Sequence, residues 1–236
     1  MTIKDLGIYT RPVLFDTKSC DYPYGLLGSC FGIEYENEYL IITAQHVLDN
    51  FENKNILVPY ILGSDTFLPI NIIHELSYSS EIDDTDKFDL AIIHIEKKKL
   101  NKDFIKTSFY KIDNSLLEAT SYTEFIIYGF PSKINGIDYE EKKVNAQRMI
   151  IEAINITKSP YTYCYSLETA EDTKEYLNGL SGSPVFGLKK VNSQINYCFV
   201  GMMIREKYFI SARWIYHVIK TSNKSLEEER VTPASI

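Results

Sequence analysis

The amino-acid sequence predicts an all-β protein whose strands fall into two successive sets, followed by a single C-terminal helix. Short apolar or alternating runs recur along the chain, bounded by Gly, Pro, Asn and Asp, the pattern of a sandwich or barrel. The runs pause once, over residues 111–119, where turn residues replace the alternation. One stretch near the C-terminus repeats its apolar residues at helical spacing.

The first set of predicted strands covers residues 29–35, 39–43, 56–58, 68–73 and 90–95. The second covers 125–128, 148–156, 162–167, 185–188, 197–204 and 208–210. This division places an N-terminal unit at residues 1–112, a linker at 113–122, and a second unit with its helix at 123–222. The helix starts near Ser211, whose hydroxyl suits an N-cap, and Trp214, Ile215, Val218 and Ile219 form its apolar stripe. Residues 222–230 are polar and charged, so 223–236 are expected to form a mobile tail. The chain shows no internal repeat and no low-complexity segment.

A chain of 236 residues, 44% hydrophobic and 13% aromatic, can fill one large or two small β cores without metal or disulfides. Its 25 basic and 32 acidic residues give a formal charge of −7, and no basic run exceeds Lys97-Lys98-Lys99. A nucleic-acid footprint is therefore not expected, and cationic or neutral peptide partners suit the charge better. The first residues, Met1 to Gly7, carry an acid and a glycine where a secretion signal needs a basic start and an unbroken apolar stretch. No window approaches the ~18 consecutive apolar residues of a membrane span. These features lead to the expectation of a cytoplasmic protein with no membrane partner. Cys20, Cys30, Cys164 and Cys198 allow two disulfides in three connectivities.

Three segments carry chemistry. Thr43-Ala44-Gln45-His46 ends an apolar run, Phe88-Asp89-Leu90-Ala91 starts one, and Gly179-Leu180-Ser181-Gly182-Ser183-Pro184-Val185 is a glycine-rich turn. A hydroxyl that attacks, an imidazole that takes its proton and a carboxylate that orients the imidazole make an acyl-transfer site. Each segment alone is weak evidence, since a histidine after an apolar run is usually structural and Gly-x-Ser-Gly occurs in ordinary turns. The order His, Asp, Ser is one of three known for this constellation. Gly179 and Gly182 tolerate backbone angles denied to other residues and leave room for a substrate carbonyl. The backbone N–H groups of Gly179 and Ser181 are the expected oxyanion hole, in which one donor is worth ~10²–10³ in rate.

With these motifs, and with Tyr128-Gly129-Phe130-Pro131 between them, residues 25–222 resemble the chymotrypsin-like serine peptidases, in particular their bacterial V8-like and HtrA-like branch. The resemblance implies two six-stranded antiparallel β-barrels with a C-terminal α-helix. Its catalytic residues are then His46 as base, Asp89 as orienter and Ser181 as nucleophile, and no cofactor is required. Ser183 becomes a small residue behind the nucleophile. The primary specificity pocket would have its base at Glu175 and its far wall at Ile204, Arg205 and Glu206. Glu175 and Glu206 favour a basic substrate residue and Arg205 an acidic one, while residues 171–175 also read as a solvated loop.

Two departures stand out. Leu180 replaces the aspartate with which trypsin pairs its released N-terminus, and Val47 replaces the cysteine that follows the histidine in secreted animal members. Insertion of a new N-terminus is thus not the expected switch, whereas ordering of residues 169–178 by a regulatory protein partner is. The four cysteines read as reduced thiols. None lies in the glycine-rich turn, which disfavours the cysteine nucleophile of viral relatives. The acidic stretch at 81–86 lacks the spacing and glycine of an EF-hand and reads as solvated surface. His74, His94 and His217 have no nearby motif and read as structural or surface residues. The resulting expectation is a serine endopeptidase acting on a peptide or protein, with a non-cleaving peptide-binding module or an esterase-type hydrolase as alternatives.

Overall fold

The computed structural model describes residues 3–21, 23–49, 55–62, 66–76, 86–112, 118–138, 140, 143–191 and 194–231. The first half opens with a short helix α1 (Ile3–Leu6) and then strands β1 (Thr10–Asp16), β2 (Tyr24–Tyr35) and β3 (Glu38–Thr43). After β3 come a short helix α2 (Gln45–Asp49), β4 (Ile56–Leu57), β5 (Ile70–Glu75), β6 (Ala91–Ile95), helix α3 (Lys102–Ser108) and β7 (Tyr110–Lys111). The sheet runs β4-β1-β2-β3-β6-β5, with β7 parallel to β2.

The second half contains β8 (Glu124–Gly129), a small ribbon of β9 (Gly136–Asp138) and β10 (Lys143–Asn145), and then β11 (Met149–Lys158) and β12 (Cys164–Thr169). Next follow β13 (Pro184–Val191), β14 (Gln194–Arg205), β15 (Tyr208–Ser211) and helix α4 (Ala212–Val231). Strands β11-β12-β15-β14-β13-β8 close into one six-stranded antiparallel barrel.

The all-β expectation holds, but only one of the two expected six-stranded barrels closes. Among the described residues the first sheet is seven-stranded and open: β4 pairs only β1, β5 pairs only β6, and a single bridge joins Pro59 to Phe67. On either side of Pro59 the Leu68 N–H donates to Val58 O (2.8 Å) and the Tyr60 N–H to Thr66 O (2.7 Å), a short contact outside the named strands.

Burial follows side-chain chemistry. Leu40, Ile41 and Ile42 of β3 and Ile92 and Ile93 of β6 are all buried, as continuous apolar runs require. In β11 the period is two: Ile151 and Ala153 face inward and Ile154 is 62% exposed. One core crosses between the halves, where the Phe31 ring lies 5.8 Å from Phe186 and 5.0 Å from Phe199. Such aromatic pairs contribute ~0.5–1.5 kcal/mol each beyond their buried area. His74 and His94 pack edge to face at 5.1 Å across β5 and β6.

Helix α4 packs its predicted stripe, Ile215, Val218 and Ile219, against β14 and β15. Ser211 Oγ accepts from the Trp214 N–H at 3.4 Å, the expected cap. The helix then continues through 223–231, where the sequence reading placed the start of a tail. Leu, Glu and Arg there are good helix formers, so a polar composition does not by itself end a helix. Within the expected linker, 113–117 lie outside the described residues. Ala119 and Tyr122 are buried in the second barrel, where a side chain at Gly187 would collide with the Tyr122 ring at 2.4 Å.

Candidate active site

His46 is delivered by the passage from β3 into α2. Thr43 Oγ1 donates to the Ser29 carbonyl (2.8 Å), and Ala44 is buried, so the chain turns at a fixed point and His46 falls in the first helical turn. First-turn N–H groups have no partner within a helix. Here the His46 N–H donates to Asp89 Oδ1 at 2.9 Å, while His46 Nδ1 lies 2.7 Å from Asp89 Oδ2. One carboxylate thus holds both the backbone and the ring of the same residue. Because a carboxylate only accepts, Nδ1 carries the proton and Nε2 presents its lone pair.

Asp89 sits between a turn of 3₁₀ helix (Asp86–Phe88) and β6. Two side chains anchor that turn from outside it. The Trp214 indole N–H donates to the Lys87 carbonyl at 2.6 Å. The Gln45 amide, oriented with its nitrogen toward the carbonyls, donates to Phe88 O (3.0 Å) and Leu76 O (3.1 Å). The Asp89 side chain is 19% exposed and that of His46 44%, so the carboxylate is screened behind the imidazole.

Ser181 lies in the turn leading to β13. Gly179 has φ +89° and Gly182 φ +87°, angles that side chains disfavour. Space forbids a side chain as well: a Cβ on Gly182 would lie 1.9 Å from the Ser29 carbonyl oxygen, and one on Gly179 2.7 Å from that of Phe130. Ser29, in β2, fastens the turn at two points and ties it to the residue after β8. Its N–H donates to Ser181 O (3.0 Å), its hydroxyl donates to Gly179 O (2.9 Å), and the Phe130 N–H donates to that hydroxyl (3.0 Å). Gly182 N–H donates to Met203 O and Ser183 N–H to Leu180 O, both at 2.8 Å.

Ser181 Oγ is 2.9 Å from His46 Nε2 and also donates toward the Ile204 carbonyl at 2.8 Å. A hydroxyl has one proton and these are two acceptors, so the proton is shared between a resting and a reactive direction. Among the described residues the N–H groups of Gly179 and Ser181 have no intramolecular acceptor. This arrangement can take a proton from a hydroxyl, hold the resulting imidazolium and offer two amide donors beside the attacking oxygen. No group of three or more potential metal ligands occurs among the described residues.

The structure thus brings together His46, Asp89 and Ser181, with Ile204 beside them through its carbonyl. The remaining specificity candidates lie otherwise. Glu175 is exposed and ion-paired with Lys133, which holds its carboxyl below the ordinary range. An acidic pocket floor finds no support in that pair, because its charge is already compensated. Arg205, the last residue of β14, and Glu206, in the turn after it, are exposed, with the Arg205 guanidinium 5.4 Å from the Tyr161 ring. Sequence reasoning missed Ser29, Gln45 and the indole N–H of Trp214. The available signal for Ser29 was a lone hydroxyl within the apolar run Leu26-Leu27-Gly28-Ser29-Cys30-Phe31.

Ser183 points away from the histidine. It is fully buried, its hydroxyl has no hydrogen-bond partner among the described residues, and that oxygen would lie 2.1 Å from a Cβ placed on Gly129. An unsatisfied buried hydroxyl costs ~1–3 kcal/mol. Ser183→Ala is therefore expected to leave covalent labelling at Ser181 unchanged and to raise unfolding stability by about 1 kcal/mol in urea titration. Loss of labelling in that variant would move the nucleophile to Ser183.

No protein-family model matches this chain, and no curated protein does. No helix among the described residues is long and apolar enough to cross a membrane.

Proposed function

We propose that this chain is a serine endopeptidase of the chymotrypsin-like, two-barrel kind, similar to the V8-like and HtrA-like enzymes. The observation that carries the reading is the unbroken line Asp89 Oδ2, His46 Nδ1, His46 Nε2, Ser181 Oγ, at 2.7 and 2.9 Å, on a turn whose Gly179 and Ser181 amides have no acceptor among the described residues. The closed barrel carrying Ser181 and the open sheet carrying His46 and Asp89 support the two-barrel assignment.

In the proposed reaction the Ser181 hydroxyl gives its proton to His46 Nε2 as Oγ attacks the substrate carbonyl carbon. The oxyanion so formed accepts from the Gly179 and Ser181 N–H groups. His46 returns the proton to the leaving nitrogen, the C–N bond breaks, and an acyl-enzyme remains. Water then gives a proton to His46 Nε2 as it attacks the acyl carbon, and His46 passes that proton to Ser181 Oγ as the ester C–O bond breaks. Asp89 holds the ring and stabilises the imidazolium throughout. The substrate is a peptide or protein, and a regulatory protein partner fits a protease of a reducing compartment such as the cytoplasm. None of the four cysteines is in a disulfide, and burial pushes the Cys30 thiol up to about 12.

The test is labelling of the folded wild type with a fluorophosphonate probe, followed by mapping of new protein N-termini in cells expressing the wild type or Ser181→Ala. Labelling at Ser181 with wild-type-specific cleavages is the expected result. Absence of labelling would replace the protease with a peptide-binding module, and turnover of esters without peptides would indicate an esterase.

A further inference from the structure

Away from Ser181, a cavity of about 630 Å³ opens between β1, residues 60–62, α3 and the entry to β11. That volume lies in the range of small-molecule sites. Its wall is apolar and aromatic: Ile8, Ile61 and Leu62 line it, beside Tyr60 and Phe104 stacked at 3.8 Å. Two arginines, Arg11 and Arg148, line the same cavity.

Arg11 is 5% exposed, yet among the described residues its guanidinium has a single acceptor, the Ser108 carbonyl at 3.3 Å, and it rests 5.1 Å from the Phe104 ring. Arg148 donates from Nη2 to the Thr10 carbonyl at 3.0 Å, and its buried Nε has no partner among the described residues. Each guanidinium offers five N–H donors, and among the described residues neither is ion-paired to a carboxylate. Burial, and then the neighbouring Arg11, push the Arg148 pKa down to about 10. The acidic residue on the wall, Asp103, is exposed in the first turn of α3. Two uncompensated like charges at the edge of a core are expensive unless a counter-charge arrives.

We infer that this cavity is a binding site for a small organic anion, whose carboxylate or phosphate group is held by Arg11 and Arg148 and whose apolar body packs on Tyr60, Phe104 and Ile61. Guanidinium pairs suit such groups because their planar forks match the two oxygens of a carboxylate or phosphate. The aromatic wall selects an anion with a hydrocarbon or aromatic portion over a bare inorganic ion.

The experiment is calorimetric titration and thermal melting of the full chain at constant ionic strength. The probes are phenylacetate, phenyl phosphate, inorganic phosphate and uncharged benzyl alcohol. Saturable binding and a raised Tm with phenylacetate, phenyl phosphate or both, at least tenfold tighter than with inorganic phosphate or benzyl alcohol, is the expected result. The better of the two identifies the head group. Arg148→Met is expected to raise Tm in anion-free buffer, by relieving the repulsion, and to lose the anion-dependent shift. Ile61→Asp, at a position 62% exposed and so tolerant of change, is expected to weaken binding at least tenfold while keeping the wild-type Tm. No saturable binding of any anion, equal binding of benzyl alcohol, or unchanged affinity in both variants would overturn the site.

Discussion

Ser181→Ala is expected to abolish fluorophosphonate labelling and to lower turnover of a p-nitrophenyl ester by about 10⁶-fold, the scale on which loss of a triad serine acts elsewhere. The substitution removes one oxygen and leaves its surroundings in place. The positive φ angles belong to Gly179 and Gly182, and the bonds that shape the turn come from Ser29, Met203 and Leu180, so alanine keeps the turn and its amide donors. What disappears is the hydroxyl oxygen that lies 2.9 Å from His46 Nε2. A residual rate of ~10³–10⁴ over water is expected from the oxyanion donors and substrate binding alone. The melting temperature should stay within a degree or two of wild type. Retained labelling would show that another side chain is the nucleophile.

Asp89→Asn is expected to cost on the order of 10⁴ in kcat while preserving the fold. The cause is the double role of the carboxylate. In the wild type Oδ1 accepts from the His46 backbone N–H and Oδ2 faces Nδ1. An asparagine satisfies the backbone N–H with its carbonyl oxygen, which turns its NH₂ toward Nδ1. Nδ1 must then accept, the ring proton moves to Nε2, and Nε2 can no longer take the Ser181 proton. Measured with the same ester between pH 6 and 9, kcat should be depressed throughout. A loss below tenfold would show that Asp89 does not set the tautomer.

The chemistry of this site was more legible in the sequence than its scaffold. His46, Asp89 and Ser181 lie in short motifs whose meaning is local: a strand end, a strand start, a turn needing glycines. Ser183 could be separated from Ser181 because Pro184 biases it toward an extended backbone. Other elements were hidden for equally physical reasons. Strand β1 contains Arg11 and Pro12, which argue against a strand when read alone, yet β1 pairs with both β2 and β4. Helices α2 and α3 are too short to show a period. The supporting contacts of Ser29 and Gln45 join residues far apart in the chain and leave no mark in local pattern. Closure of the first barrel depends on which strands pair at its edges, and local alternation does not record that.

The two bonds from Ser29 to the Ser181 turn bear on when a reactive serine comes into being. Residues 1–112 are synthesised first and contain histidine and aspartate without a nucleophile, while the second half contains a serine whose turn is drawn into shape by a strand of the first. Neither half by itself is a protease in waiting. A nascent chain, or one whose halves have separated, presents Gly179 and Ser181 carbonyls without their donors and a hydroxyl far from any base. For a protein proposed to cut others within the compartment where it is made, the tie at Ser29 confines the cutting edge to finished molecules, and folding itself serves as the safety catch.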